Sequence, residues 1–337
     1  MLSIKEIAKL ADVCPATVSR VLRHPHLVSQ KKRDKVSAVI KQTGYVPNNL
    51  AVNLRNTKTF KLMAIIPEVI RAYNSVIIRS IEDIAIEHGY SLLLGDTQSL
   101  QSREKSFADM ARSREVDGII LFCSRFPFEV DPAIPVADQL PPIVHACEST
   151  DMPGVPKVNI DNLAAAKEAT DYLLSLGHKR IGVVAGHSLT PSTESRLAGY
   201  RSSLQEANIK QEPALISTGN YDLQMAAEAT QYLMSLVPRP TAIFAFSDEM
   251  AIGCLSALHK LKVKVPEQVS VLGFDGISYA PFLHPALSTV AQPLKEIGKS
   301  CMELLLPQLN GEKMQDCNKI LSHQLVIRES TGPVCQK

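Results

Sequence analysis

Tryptophan is absent from the 337 residues of this chain, and only 5% of them are aromatic. Long apolar runs are absent too, because no segment reaches the ~18 apolar residues that a membrane-spanning helix needs. Met1 leads directly into a helical pattern, without the apolar stretch of a secretory signal. We therefore expect a protein of the cytoplasm that has no contact with the membrane.

The patterns that would indicate a redox protein, a metalloprotein or an enzyme are also missing. The seven cysteines are an odd number without a CxxC pair, which is typical of reduced cytoplasmic thiols. The phosphate-binding GxxxxGK[ST], nucleophilic GxSxG and zinc-binding HExxH patterns do not occur. His24 and His26 flank a proline, but no cluster of further ligands accompanies them. We expect neither an enzyme nor a bound metal or other cofactor.

Charge is balanced over the whole chain, with 36 basic and 34 acidic residues, but it is unevenly distributed. Residues 1–60 contain eleven basic and three acidic residues, which leaves 25 basic and 31 acidic residues for the remainder. A basic end on an acidic body is typical of a protein that neutralises phosphates with one end only.

Residues 4–22 predict two short amphipathic helices joined by a tight turn. The first helix carries apolar residues at the helical period: Ile4, Ile7, Ala8 and Ala11. In the second helix Val18, Val21 and Leu22 face inward, and Val13 fills the angle between the helices. Many helical pairs share this spacing, so an ordinary surface corner is the alternative to a DNA-binding motif.

The outward face of the second helix is small, polar and tipped by an arginine. Its candidate DNA-contacting residues are Pro15, Ala16, Thr17, Ser19 and Arg20. Such a face suits a helix that enters a major groove and reaches base edges. Cys14 stands at the N-cap, where its thiol is a weaker hydrogen-bond acceptor than a serine hydroxyl.

A third helix is predicted between the N-cap Ser29 and the terminating Gly44. Residues 47–59 follow as a segment too short to hold a helix alone. It is either a plain linker or a hinge helix that orders when two copies meet over DNA. We expect a head at residues 1–46 and a hinge with DNA contacts from Asn48, Leu54 and Arg55.

Residues 60–330 alternate strand-length apolar runs with helical patterns. The predicted strands are 62–66, 91–94, 118–122, 143–146, 181–185, 242–246 and 269–274. The predicted helices are 75–88, 103–114, 163–176, 194–207, 223–236 and 250–261. This alternation predicts parallel sheets covered on both faces, and the length favours two lobes. The expected fold is an all-α helix-turn-helix head, an α/β core of two doubly wound lobes and a short tail at 331–337.

Motifs along nearly the whole chain resemble those of the lactose/galactose repressor (LacI/GalR) family of bacterial transcription factors. The matching segments include Ile-Lys-Glu-Ile-Ala at 4–8, Ala-Thr-Val-Ser-Arg-Val-Leu at 16–22, and residues 44–48, 51–54, 177–182, 196–200, 247–251, 273–276 and 289–293. Residues 122–128 and 161–166 most resemble family members that respond to a nucleoside such as cytidine.

The resemblance implies a cytoplasmic, nucleoid-associated homodimer whose two heads read a pseudo-palindromic operator. It further implies that Leu54 wedges into the minor groove, and that the chain crosses between the lobes near 159–161, 288–292 and 318–321. A small effector would bind in the cleft, at the carboxyl ends of the strands. The alternative is a cytosolic sensor of a sugar or nucleobase that acts through protein contacts.

Eight residues are candidates for effector binding: Tyr73, Asn74, Phe126, Asp161, Arg196, Tyr221, Asp248 and Asp275. Asp275 follows strand 269–274, where it can accept ligand hydroxyls or cap its own turn. The resemblance places the family's ligand-binding arginine at Arg196, for which a surface ion pair is the alternative. Asp161 can meet a sugar-like hydroxyl or brace the crossing, and Asp248 falls within the 247–251 motif.

The aromatic candidates suit a planar heterocycle. By resemblance, Tyr73 and Tyr221 match positions where purine-responsive members place rings around a base, and Phe126 lies near a strand end. Core packing would explain each ring as well. The family's usual Asn/Asp-Pro-Phe-Phe is replaced by residues 71–74, Arg-Ala-Tyr-Asn. Either Asn74 hydrogen-bonds the effector, or the effector differs from those of other members. Together these residues favour a nucleoside over a simple sugar.

Overall fold

The structure, a computed structural model, describes residues 2–45, 58–148, 152–188, 190–313 and 317–334. The chain divides into two units, a head unit at Met1–Lys58 and a core unit at Thr59–Lys337. Among the described residues, no helix has both the length and the apolar character that a membrane crossing requires.

The described part of the head unit contains the α-helices α1 (Ile4–Leu10), α2 (Pro15–Arg23) and α3 (Gln30–Thr43). Helix α1 begins with a capping box, in which Ser3 and Glu6 each accept a hydrogen bond from the other's backbone N–H. Helix α3 ends at Gly44, whose φ of 61° is the left-handed conformation that glycine adopts without strain. The predicted helical pair and the end of the third helix are confirmed. Ser29 precedes α3, but its hydroxyl makes no capping hydrogen bond.

In the described part of the head unit, seven buried apolar side chains form the hydrophobic core: Ile7, Ala8, Ala11, Val18, Val21, Val28 and Val36. They come from all three helices and the connection before α3, at the spacing that the sequence predicts for the first two helices. The side chains of α2 that lie between the buried ones therefore face outward.

The core unit alternates strands and helices. Its strands are β1 (Lys61–Ile66), β2 (Ser91–Asp96), β3 (Gly118–Leu121), β4 (Ile143–Ala146), β5 (Lys157–Ile160), β6 (Ile181–Ala185), β7 (Ile216–Thr218), β8 (Ala242–Ala245), β9 (Ser270–Asp275), β10 (Ser288–Ala291), β11 (Asn318–Leu321) and β12 (Gln324–Val326). Its helices are α4 (Ala72–Glu87), α5 (Gln101–Arg112), α6 (Val136–Gln139), α7 (Asn162–Ser175), α8 (Pro191–Glu206), α9 (Leu223–Ser235), α10 (Asp248–Lys260) and α11 (Leu294–Leu309).

The strands form two six-stranded sheets, which define a first and a second lobe. The first sheet has the order β11-β5-β4-β3-β1-β2, and the second has the order β12-β10-β9-β8-β6-β7. Every pairing is parallel except that of β10 with β12. The chain passes between the lobes after β5, after β10 and after β11, which agrees with the predicted crossings. The predicted fold class is confirmed.

Both sheets are covered on both faces, because their central strands are buried along their whole length. Strands β3, β4 and β8 expose no residue, as parallel strands between two helical layers require. The sequence prediction omitted the helices α6 and α11, the short strands β5 and β7, and the final strands β10 to β12. Helix α11 packs its buried face against the first lobe, which the chain re-enters after β10.

Candidate functional site

The first candidate surface is the outward face of α2 in the head unit. Pro15, Ala16 and Arg20 are exposed, and Thr17 and Ser19 are half-buried beside Val18, which is fully buried. Among the described residues, the guanidinium of Arg20 makes no hydrogen bond or ion pair, and only its backbone carbonyl accepts, from the N–H of His24. The five predicted α2 residues therefore share one side of the helix. Asn48, Leu54 and Arg55 lie outside the described residues.

Cys14 precedes α2 and makes no hydrogen bond that caps the helix backbone. Its Sγ atom lies 3.2 Å from Oγ1 of Thr17 instead, and this hydrogen bond lowers the pKa of the thiol. Lys5, Lys9 and Lys35 are exposed on the other two helices and add positive charge to the surface of the head unit. Lys35 pairs loosely with Asp12 at 3.4 Å. Such a surface can bind a polyanion and still present a short polar helix.

The second candidate site is a cavity of about 420 Å³ between the two lobes of the core unit. Five of the eight predicted effector residues line it: Tyr73, Asn74, Arg196, Tyr221 and Asp275. They come from the start of α4, from α8, from the loop after β7 and from the end of β9. The carboxyl ends of the parallel strands thus meet at the cavity, as in other open α/β sheets.

Arg196 lies on the second-lobe wall of this cavity, with only 5% of its surface exposed. Its Nε donates to Oδ1 of Asn162 at 2.8 Å, and its Nη1 donates to the carbonyl oxygen of Phe246. The guanidinium carbon lies 3.6 Å from the centroid of the Phe274 ring. These contacts hold the guanidinium in one orientation, so it can bind a ligand with little loss of side-chain entropy.

Asp275 ends strand β9 with a φ of 117°, a left-handed conformation that costs an aspartate energy. Its Oδ1 accepts a hydrogen bond from Nε2 of Gln292 at 2.8 Å. Burial raises the pKa of this carboxyl from 3.8 to about 6, although Arg196 opposes the shift. A strained, buried carboxyl beside a fixed guanidinium is a typical arrangement in a binding site.

The aromatic walls are Tyr73 from the first lobe and Tyr221 from the second. Burial raises the pKa of Tyr73 well above its ordinary value. The hydroxyl of Tyr221 lies 2.8 Å from Oγ1 of Thr193, and its ring covers Gly186, where a Cβ atom would lie 2.2 Å from the ring. Nδ2 of Asn74 donates to the carbonyl oxygen of Glu68 at 2.8 Å, so that amide is already engaged within the first lobe.

The other three predicted effector residues do not line this cavity. Phe126 packs against Phe128 with ring centroids 5.5 Å apart, within the apolar cluster of the first lobe. Asp161 caps α7 by accepting from the N–H of Ala164 at 2.9 Å, and it lines a smaller cavity of about 250 Å³.

Asp248 is fully buried at the start of α10. Its Oδ2 accepts from the N–H groups of Gly276 and Ile277, both at 2.8 Å, and its Oδ1 accepts from Oγ1 of Thr289 at 2.6 Å. Burial and the neighbouring Asp275 raise its pKa to about 8. These contacts hold the turn that follows Asp275.

The cavity also contains polar residues that the sequence prediction did not select: Glu68, Arg71, Gln98, Ser99, Glu104, Ser124, Arg125, Glu148, His187, Thr190, Ser192, Asn220, Ser247 and Glu249. Arg125 donates to both carboxylate oxygens of Glu104, at 2.9 and 3.0 Å. The position of Ser124 and Arg125 shortly after β3 was the available signal, because Asp275 was predicted from its place at the end of a strand. The described residues contain no cluster of three or more side chains that could hold a metal ion.

Residues 3–48 match the family described as bacterial regulatory proteins, lacI family, and residues 170–331 match the periplasmic binding protein-like domain. The chain is 39% identical over 329 residues to the transcriptional repressor CytR of Escherichia coli K12, covering 98% of this chain and 96% of that one. It is 29% identical over 334 residues to the repressor PurR of Vibrio atlanticus LGP32, covering 98% of both.

A solved structure of the lac repressor dimer bound to operator and the anti-inducer ONPF has the same fold. The TM-score is 0.83 at 24% identity, over 98% of this chain and 99% of that one. The predicted family resemblance is therefore confirmed at the level of sequence and of fold. This chain belongs to the LacI family of bacterial regulatory proteins.

Proposed function

We propose that this protein is a sequence-specific DNA-binding transcriptional repressor whose operator affinity is set by a small effector in the cleft between the core lobes. The observation that carries this proposal is that one chain combines Arg20, exposed on the outward face of α2, with a cavity lined by Arg196 and Asp275. Its likeness to the repressor CytR along almost its whole length supports the same function.

In this proposal the head, residues 1–46, enters the major groove with α2. Arg20 reads a base edge, and Pro15, Ala16, Thr17 and Ser19 form the surface that fits the groove. The lysines of α1 and α3 bind phosphates and fix the position of the head. A homodimer presents two heads to a pseudo-palindromic operator.

Residues 47–59 would form the hinge before the core at 60–330 and the tail at 331–337. Asn48 and Arg55 contact the DNA backbone in this proposal, and Leu54 wedges between base steps in the minor groove. Effector binding then changes the angle between the lobes, which shifts the population of the ordered hinge. The coupling needs a free energy of only ~1–3 kcal/mol.

The proposed effector is a nucleoside such as cytidine. Tyr73 and Tyr221 offer rings for a base, while Asp275 and Arg196 offer an acceptor and donors for ribose hydroxyls. The cavity lining contains five carboxylate side chains and three arginines. Two of those arginines, Arg71 and Arg125, already pair with Glu68 and Glu104. This balance favours a neutral nucleoside over its phosphate.

The remaining three candidates take supporting roles in the proposal. Asp248 holds the turn that carries Asp275, Asp161 caps the helix that follows a crossing, and Phe126 stabilises the first lobe. Asn74 fixes the loop before α4 through its bond to Glu68.

A second candidate is a cytosolic sensor of a sugar or nucleobase that acts through protein contacts. It would have the same cleft but would not retard DNA, so a gel shift with random duplex separates the two functions. In the cell, the proposed repressor belongs in the cytoplasm with the nucleoid.

Thermal unfolding of the full chain with cytidine, adenosine, cytosine, ribose and cytidine monophosphate tests the effector. A ligand at 100 times its Kd adds about 2.7 kcal/mol of stability. We expect a nucleoside to raise the unfolding temperature and its monophosphate to raise it less. A larger rise in unfolding temperature with ribose than with any nucleoside would show that the effector is a sugar.

A further inference from the structure

Two helices that face the cleft begin without a side-chain cap of their own. Thr190 precedes α8 and Arg71 precedes α4, and neither makes a capping hydrogen bond. Three other helices of the second lobe are capped locally, by Asp161, Asp222 and Ser247. The first N–H groups of α4 and α8 therefore depend on partners from elsewhere, because a helix cannot satisfy them itself.

The opposite lobe supplies the missing acceptor in both cases. Glu148 follows β4 of the first lobe, and its carboxylate accepts from the N–H of Ser192 at 3.1 Å and from its hydroxyl at 2.5 Å. Ser192 lies in the first turn of α8, in the second lobe. Glu249 lies in the first turn of α10, in the second lobe, and its Oε1 accepts from the N–H of Ala72 at 3.1 Å. Ala72 begins α4, in the first lobe.

The exchange is reciprocal, since each lobe caps one helix of the other. Both carboxylates also face the positive end of the helix dipole that they cap. Beside them, the guanidinium of Arg71 lies 5.0 Å from the centroid of the Tyr221 ring, which again joins the two lobes. Opening the cleft would break all three contacts at once and expose two uncapped helix ends.

We propose that Glu148 and Glu249 are positioning residues that hold the cleft closed through reciprocal helix capping and thereby set how long an effector stays bound. This inference rests on the proposed effector site, because both carboxylates line the same cavity. Neither residue needs to contact the ligand. Their loss raises the rate of cleft opening, so it increases the dissociation rate of an effector and does not slow its entry.

The capping contacts of Glu148 and Glu249 with the opposite lobe are called the clasp. Distance measurements on the ligand-free full chain test the clasp independently of any effector. Spin labels are placed by a non-canonical amino acid at Asp109 in α5 and Gln205 in α8, both exposed, and labelled chains are diluted with unlabelled ones. The variants are Glu148→Ala, Glu249→Ala and their combination. Glu194→Ala is the control, because Glu194 is an exposed acid in the same first turn of α8 and bonds to no described residue of the first lobe.

We expect the wild type and the control to show one short distance between the two spin labels. The double variant should show an additional, longer distance, from chains with an open cleft. Glu148→Gln and Glu249→Gln keep an acceptor oxygen and should retain most of the short distance. Ala72→Pro removes the N–H group that donates to Glu249, at a helix position that tolerates proline. This variant should open the cleft although Glu249 is intact. Ala72→Pro therefore still tests the clasp if the double variant does not fold.

Cytidine dissociation, measured by stopped flow, then tests the link to the effector. We expect the double variant to release cytidine about tenfold faster than the wild type and to bind it at least as fast. Identical distance distributions in the wild type, the double variant and Ala72→Pro would overturn the clasp. If the wild type binds none of the nucleosides but the variants still open, the clasp stands and the proposed effector is wrong.

Discussion

The guanidinium of Arg196 stacks 3.6 Å from the centroid of the Phe274 ring, and Phe274 immediately precedes Asp275 in strand β9. One strand end therefore fixes both the arginine and the carboxylate that face the cleft. The ring covers one face of the guanidinium, Asn162 binds its Nε and Phe246 binds its Nη1, so Nη2 is the nitrogen left for a ligand in the cavity that Arg196 lines.

Replacing Arg196 by lysine should abolish the effector response and leave DNA binding intact. Lysine keeps the charge but has neither the planar stacking on Phe274 nor the fork that binds Asn162 and Phe246 together. Isothermal titration with cytidine would measure the loss. Arg201→Lys is the matched control, because Arg201 is an exposed arginine of the same helix. Equal affinities in Arg196→Lys and the wild type would remove Arg196 from the site.

Effector affinity should rise between pH 5 and pH 7, because the ligand hydroxyls donate to ionised Asp275, whose pKa is about 6. Asp275→Asn should bind weakly and show no such rise. Titrations at several pH values measure both. A wild-type affinity that falls as the pH rises would mean that the protonated carboxyl binds the ligand.

The stability of the protein should show the opposite dependence. Folding raises the pKa of Asp275 from 3.8 to about 6, so this group stabilises the folded state below pH 4 and that stabilisation is lost as the pH rises through 6. Asp275→Asn has no carboxyl group to ionise at this position and should not lose stability in this way. Relative to the variant, the wild type should lose up to about 3 kcal/mol of unfolding free energy between pH 4 and pH 7. Urea unfolding curves at each pH provide the comparison, and parallel curves for the two proteins would contradict it.

Asp248→Ala should destabilise the core unit without a specific role in ligand recognition. The carboxyl group of Asp248 makes three hydrogen bonds, and alanine leaves the N–H groups of Gly276 and Ile277 without their acceptor. Leaving such donors buried and unpaired costs about 1–3 kcal/mol each. Thermal unfolding measures the loss. If Asp248→Ala folds as stably as the wild type but no longer binds cytidine, Asp248 contacts the ligand itself.

Arg20→Ala should weaken operator binding by ~1–3 kcal/mol and change binding to random duplex far less, since a bidentate base contact is specific to sequence. Lys41→Ala provides the comparison, because Lys41 is an exposed lysine of α3 whose loss as a phosphate contact should weaken binding to both duplexes alike. Fluorescence anisotropy with both duplexes gives the two affinities. An equal loss on operator and random DNA would make Arg20 a phosphate contact.

Much of the fold follows from patterns in the sequence, because buried parallel strands are nearly continuous apolar runs. Strand β4 at Ile143–Ala146 and strand β6 at Ile181–Ala185 agree with the prediction to the residue. Helix α11 was omitted, although Ile297, Cys301 and Leu305 repeat at a helical period. Its place in the first lobe depends on a late crossing, which no local pattern encodes.

The residues of the candidate site also include some that the sequence could predict and some that it could not. Asp275 could be predicted, because a residue at the carboxyl end of a strand faces the cleft whatever its partners are. Glu148 and Glu249 could not be, since their partners Ser192 and Ala72 lie 44 and 177 residues away in the chain. Nothing in the local sequence of either glutamate indicates a helix end in the opposite lobe.

The most direct test of the proposed function is the operator affinity of the full chain with and without effector. A duplex selected by the protein from a random library serves as operator, and anisotropy is measured with no ligand, with cytidine and with ribose. We expect tight binding to the selected duplex and a change of about 5- to 150-fold in Kd with cytidine alone, which Arg196→Lys abolishes. Failure to select any sequence, or a cytidine effect that persists in Arg196→Lys, would contradict the account.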